Sequence, residues 1–164
     1  MDLLKKNSIE TIAIGKINDL FNHRGITQPI KTTSNEEGIE IVIDAIKTNQ
    51  NSFVFVNLVD FDVYFGHRND APGFAEALTY FDNRLPEILD LLDGDDVLII
   101  TADHGNDPTT PSTDHSREYI PLLYFQKGKP GKDLGVRNTF ADIGKSAASF
   151  FEIDNHLKGI NFLP

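Results

Sequence analysis

The sequence predicts an α/β fold, a mostly parallel sheet flanked by helices, formed as a single domain over residues 1–164. Three observations carry the prediction. Short β-rich runs alternate with segments of helical periodicity. Two of those runs, Ser52 to Val59 and Val97 to Thr101, are almost continuously apolar, as strands covered on both faces are. Each of the two is followed by a polar loop. No internal repeat, low-complexity stretch or linker divides the chain.

The elements follow in order. Ile9 to Ile14 is a short strand ended by Gly15, and Ile17 to Phe21 a short helix. Pro29 to Thr32 has the composition of a small strand. Ser34, followed by Glu36 and Glu37, opens a helix with acids in its first turn, and Ile39, Ile43 and Ile46 give it one apolar face up to about Lys47. The strand at Ser52 leads into a loop over Asp60 to Asn69. A long helix over Phe74 to Leu92 contains Pro86, where a kink or break is expected. Val97 to Thr101 is the second covered strand, and a long loop follows from His104 to Glu118. Ile120 to Phe125 is a strand, and Thr139 opens a last helix ending near Phe151. Asp154 to Pro164 carries little signal.

Composition narrows the partners. With 15 basic and 25 acidic residues the net charge is −10, a field that repels nucleic acid. The excess acid has two readings, a surface charged for solubility or carboxylates that serve as ligands of hard divalent cations. There is no cysteine, so neither disulfides nor thiolate metal sites can form. No apolar run is long enough for a signal peptide or a membrane span. A cytoplasmic protein without a nucleic-acid or membrane partner is expected.

Ligands of open α/β sheets gather beyond the C-terminal ends of strands. That rule selects the loop from Asp60 to Arg68 and the loop beginning at Asp103. Both hold the residue types of a metal site, since imidazole nitrogen with carboxylate oxygen suits Mn, Zn or Fe. Asp62 and His67 lie in the first, with Gly66 permitting a tight bend; Asp103 and His104 open the second, and His115 lies further along it. An isolated Asp-His pair at a strand end is more often turn chemistry than a ligand pair, and spacing alone does not choose Asp62 over Asp60. The joint placement of three histidines at strand ends favours a two-metal site. His23 and His156 are isolated and read as surface residues.

Three segments now resemble the phosphopentomutase family of the alkaline phosphatase superfamily. They are Asn57-Leu58-Val59-Asp60-Phe61-Asp62 with Gly66-His67-Arg68, Thr101 to Pro108 around Asp103-His104-Gly105, and Thr113-Asp114-His115-Ser116-Arg117-Glu118. Ile14 to Ile17 and Arg24 to Thr27 are similar to that family too. The resemblance implies an alkaline-phosphatase-like core and the interconversion of ribose or deoxyribose 1-phosphate and 5-phosphate, a small phosphosugar substrate. It implies two divalent ions, usually Mn(II), with Asp62, His67 and His115 holding one and Asp103 and His104 the other. Lys16 would reach the substrate.

The same resemblance implies gaps. The N-terminal strands, the cap domain, one ligand Asp and the phosphate-carrying Thr precede the matching segment in the family, so the chain corresponds to the C-terminal part of a core. No catalytic carrier is found in it, and Thr101 is expected to be buried in a strand. Inactivity of the isolated chain and self-association through an exposed sheet edge are therefore expected. The competing readings are a fragment of another superfamily metalloenzyme, such as a cofactor-independent phosphoglycerate mutase, and a non-catalytic domain.

Overall fold

The computed structural model describes residues 1–164. Its centre is a three-stranded parallel sheet in the order β2-β1-β3, with β1 at Glu10–Ile14, β2 at Gln28–Ile30 and β3 at Ser52–Val56. β1 is paired along both edges, to Gln28–Ile30 on one side and Ser52–Val56 on the other. Thr11, Ile12, Ala13 and Ile14 are accordingly at most 1% exposed. The most enclosed strand is thus the modest run at Ile9, and not the strongly apolar run at Ser52. β3 is half-buried throughout because only one of its edges is paired.

Side-chain alternation divides the core into two layers. Ile12, Ile14, Val54 and Val56 pack with Ala45 of the helix α3, Asn35–Thr48. On the other face, Ala13 and Phe55 meet Ile17 of α2, Ile17–Leu20, while Phe53 joins Leu4 of α1, Asp2–Lys6, and Ile153. A further cluster lies between α3 and α4, Ala71–Leu91, around Ile39, Ile43, Ile88 and Leu92. Leu98 and Phe125 extend it, and so bring β4, Leu98–Thr101, and β5, Leu122–Phe125, onto the same helical layer. Truncating Ile39, 2% exposed at its centre, would cost about 2–5 kcal/mol.

Local chemistry explains the helix limits. Ser34 Oγ accepts from the Glu37 amide at 3.2 Å and starts α3. α4 begins at Ala71, three residues before the expected start, because Asp70 caps it by accepting from Gly73 N at 3.0 Å. It also runs through Pro86 unbroken. Pro86 and Asp82, whose carbonyl loses its partner, both lie on the solvent side, where water replaces the bond.

Two features depart from expectation. β4 and β5 form their own antiparallel pair and are not hydrogen-bonded to the parallel sheet. The C-terminal segment, poor in sequence signal, is packed: Phe162 and Leu163 are buried, Phe162 N donates to Ser146 Oγ at 3.0 Å, and Ile160 N donates to Asp142 Oδ1 at 2.9 Å. Ser146 and Asp142 belong to α5, Ala141–Phe150. No helix is long and apolar enough to cross a membrane.

Candidate metal centre

β1 and β3 run parallel in register from Glu10↔Ser52 to Ile14↔Val56, so both end at one rim. Gly15 turns the chain there with φ +77°, and a Cβ on it would lie 2.7 Å from the Asn57 carbonyl oxygen. Only glycine meets both demands. Lys16 follows, exposed, at the start of α2.

Beyond β3 the expected loop is instead helical. Phe61–Phe65 forms one π-helical turn and Gly66–Arg68 one 3-10 turn. Such turns recur at functional sites because they re-aim side chains within a helical path. Here they point Asp62 and His67 at each other, with Asp62 Oδ1 3.4 Å from His67 Nε2. Gly66 has an ordinary φ of −62°, so the bend itself does not need glycine. The side-chain amide of Asn106 occupies the space a Cβ on Gly66 would take.

The second loop reaches the first without any strand ladder between them. Ser116 N donates to Gly105 O at 3.1 Å and Asp107 N to Ser116 Oγ at 2.8 Å, pinching the loop into a hairpin-like fold. That closure lays the His104 ring on the His115 ring, centroids 3.9 Å apart. His115 Nε2 then lies 3.2 Å from Asp62 Oδ1. Asn106 Nδ2 donates to the same oxygen at 2.6 Å, and Asn69 Nδ2 donates to the Thr110 carbonyl at 2.8 Å.

One ligand atom from each of Asp62, His67 and His115 falls within 4.8 Å of the others. At bonds near 2.0–2.2 Å, two donors on one ion lie about 3.4 Å apart in a tetrahedral site, so this set is wider than one cation would draw together but of the same order. The His67 tautomer suits this. Its Nδ1 is 2.6 Å from the Thr113 carbonyl, which can only accept, so Nδ1 carries the hydrogen and Nε2 presents its lone pair to the cluster.

Asp103 and His104 sit beside this group without joining it. Asp103 Oδ1 is 3.7 Å from His104 Nε2, and its side chain is 65% exposed. Thr101 is exposed, not buried in its strand, because only β5 covers one of its sides; its hydroxyl donates to Pro121 O at 2.8 Å. Asp60 points away from the cluster and accepts from Asn35 N at 2.7 Å. Asn106, Asn35 and the Thr113 carbonyl also shape the site, although none is of a metal-ligand type that the sequence marks. Asn106 lies inside the segment that carries the Asp-His pair, which was its only signal.

Known proteins resemble the chain over nearly its whole length. A phosphopentomutase of Dictyoglomus thermophilum is 52% identical over 164 residues, and one of Clostridium kluyveri 48% over 163; each comparison covers 99% of this chain. The chain spans 42% of the length of those curated relatives. Among solved structures, the PH0037 protein from Pyrococcus horikoshii superposes with a TM-score of 0.62 at 21% identity, over 78% of this chain and 35% of its own, which establishes the shared fold. The Metalloenzyme superfamily model matches residues 2–155. With nearly its whole length inside that match, and imidazole and carboxylate donors gathered on one rim, the chain belongs to the Metalloenzyme superfamily.

Proposed function

We propose that the chain is the metal-binding, C-terminal part of a phosphopentomutase that interconverts ribose or deoxyribose 1-phosphate and 5-phosphate. The grouping of Asp62, His67 and His115 carries this reading, in a chain about half identical to phosphopentomutases. Asp62, His67 and His115 would hold one divalent ion, and Asp103 and His104 would supply two donors to another. The nitrogen-oxygen donor set suits Mn(II). When bound, such ions polarise a phosphoryl group and stabilise charge on its attacking and leaving oxygens.

The residues of the chain do the positioning. The Thr113 carbonyl holds His67 in its ligating tautomer, Asn106 orients the Asp62 carboxylate, and the His104–His115 stack fixes the ring planes. Lys16, exposed at the same rim, would meet the phosphate of the sugar. The phosphate-carrying threonine and the remaining metal ligand are expected from the part of the relatives' length outside these 164 residues. By themselves these residues are expected to bind one Mn(II) weakly and to turn over no pentose phosphate. A cytoplasmic setting fits a chain without cysteine, and the unpaired edge of β3 is the surface through which two copies could associate.

Crystals soaked in manganese test the reading. Anomalous density in contact with Asp62, His67 and His115 is expected. Density elsewhere, or none at saturating metal, would remove its basis. Assay of the whole protein on ribose 1-phosphate against phosphoglycerate then fixes the substrate, with turnover of the pentose expected.

A further inference from the structure

Asp60 and Asp62 are chemically alike and two residues apart, yet the fold separates their tasks. Asp62 faces His67 and His115. Asp60 turns to the first residue of α3, where it accepts from Asn35 N at 2.7 Å while its own amide donates to Asn35 Oδ1 at 3.0 Å. The exchange is reciprocal, like one rung of a ladder. The contact suits the helix start: the Asn35 amide is one of the donors a helix start leaves free, and a carboxylate at that end meets the positive pole of the helix, while Asp60 Oδ1 and Asn35 Nδ2 stay buried without partners. Asn35 is 7% exposed, so the rung is shielded from competing water.

Its location gives it leverage. Asp60 is the residue immediately before the π-helical turn Phe61–Phe65 that carries Asp62. α3, in turn, is bedded on the parallel sheet through Ala45 and on α4 through Ile39 and Ile43. A close approach supports the same seam, since a Cβ on Gly38 of α3 would lie 3.0 Å from Leu58 Cδ2. The rung therefore ties the start of a short, irregular turn to a helix whose inner face is packed. Besides this rung, the turn is held by its own backbone bonds and by the Phe61 ring packed on Phe74 of α4, centroids 5.4 Å apart.

From this we infer that Asn35 and Asp60 are positioning residues that set the place of Asp62 in the metal cluster, and that Asp60 is not a ligand. The inference rests on the metal-site reading above. Its test compares Mn(II) affinity, followed by electron paramagnetic resonance, in the 164-residue chain and its Asp60→Ala, Asp60→Asn and Asp62→Asn variants. Removing groups that orient a ligand typically costs 10–100-fold in metal affinity, and Asp60→Ala is expected to weaken binding about tenfold. Asp60→Asn keeps the acceptor for Asn35 N and is expected to stay within about twofold of the parent. If Asp60→Asn loses as much as Asp60→Ala, or neither differs from the parent, the inference is overturned. Should Asp60→Ala not fold, Asn35→Ala removes one bond of the two and replaces it in the comparison. If the parent chain itself binds no Mn(II), the metal reading fails. The positioning claim is then decided by amide hydrogen exchange, where faster exchange over residues 61–68 with α5 unchanged supports it and an unchanged turn refutes it.

Discussion

The imidazole of His104 lies flat on that of His115, with 3.9 Å between centroids and 27° between planes. His115 is thus held on one side by a ring and faces Asp62 with its Nε2. His104 is both a donor for a second ion, in the proposed site, and a prop for the first. The two roles separate by substitution. His104→Phe keeps a flat ring and removes the nitrogens, so affinity for the first Mn(II) is expected to hold within about threefold. His104→Ala removes the prop, and about a tenfold loss is expected, as for other groups that orient a ligand. Titration calorimetry of the two variants reads the difference.

Cation binding should also be visible as stability. The two loops of the site follow strands of different sheets, and only side-chain and loop bonds join them. An ion bound to both adds RT ln(1 + [L]/Kd), about 2.7 kcal/mol at a hundredfold excess over Kd, or roughly 5–10 °C in Tm for a chain of this size. Thermal melts with Mn(II) should rise by that amount and return to baseline with chelator, and Asp62→Asn should show no rise.

Gly66 and Asn106 occupy adjoining space, so they should not behave independently. A methyl at residue 66 displaces the Asn106 amide from Asp62. Gly66→Ala is expected to cost roughly 1–3 kcal/mol. Asn106→Ala made on top of it should cost less than Asn106→Ala alone. A double-mutant cycle in urea measures the difference, and strict additivity would contradict the contact.

Asp142 gives the fold an acid-sensitive point. The Ile160 amide, and secondarily the Arg137 guanidinium, hold its carboxyl below the usual range, against the opposing effect of burial. A carboxyl with a lowered folded pKa stabilises fully above its unfolded value, about 3.9, and loses that contribution as pH falls through the folded value. Tm should therefore fall more steeply below about pH 4 in the parent than in Asp142→Asn, which is less stable at neutral pH. Parallel pH–Tm curves for the two would exclude the assignment.

The fold was legible where local signals agree with packing. Ser34 with its following acids marked the start of α3, and the spacing of Ile39 and Ile43 its buried face. Strand burial is not legible in the same way, because hydrophobicity reports what a side chain prefers, not how many neighbours its strand acquires. The run Thr11 to Ile14 is enclosed because it is paired on both edges, which no local pattern encodes. The tail was illegible for a related reason. Phe162 is held by Ser146 and Ile160 by Asp142, bonds that span 16 and 18 residues. In the site, residue type and strand-end position suggest the histidines; spacing leaves Asp60 and Asp62 alike, the family resemblance favours Asp62, and the structure shows Asp60 bonded to Asn35.

The single π-helical turn at Phe61–Phe65 carries one more residue than an ordinary turn would. Deleting Val63, Tyr64 or Phe65 would leave Asp62 and His67 four residues apart instead of five and change their relative direction around the helical path. Around Asp62 the spacing of residues matters as much as the identity of the carboxylate itself. The side chains flanking Asp62 can be traded more readily than a codon between Asp62 and His67 can be gained or lost.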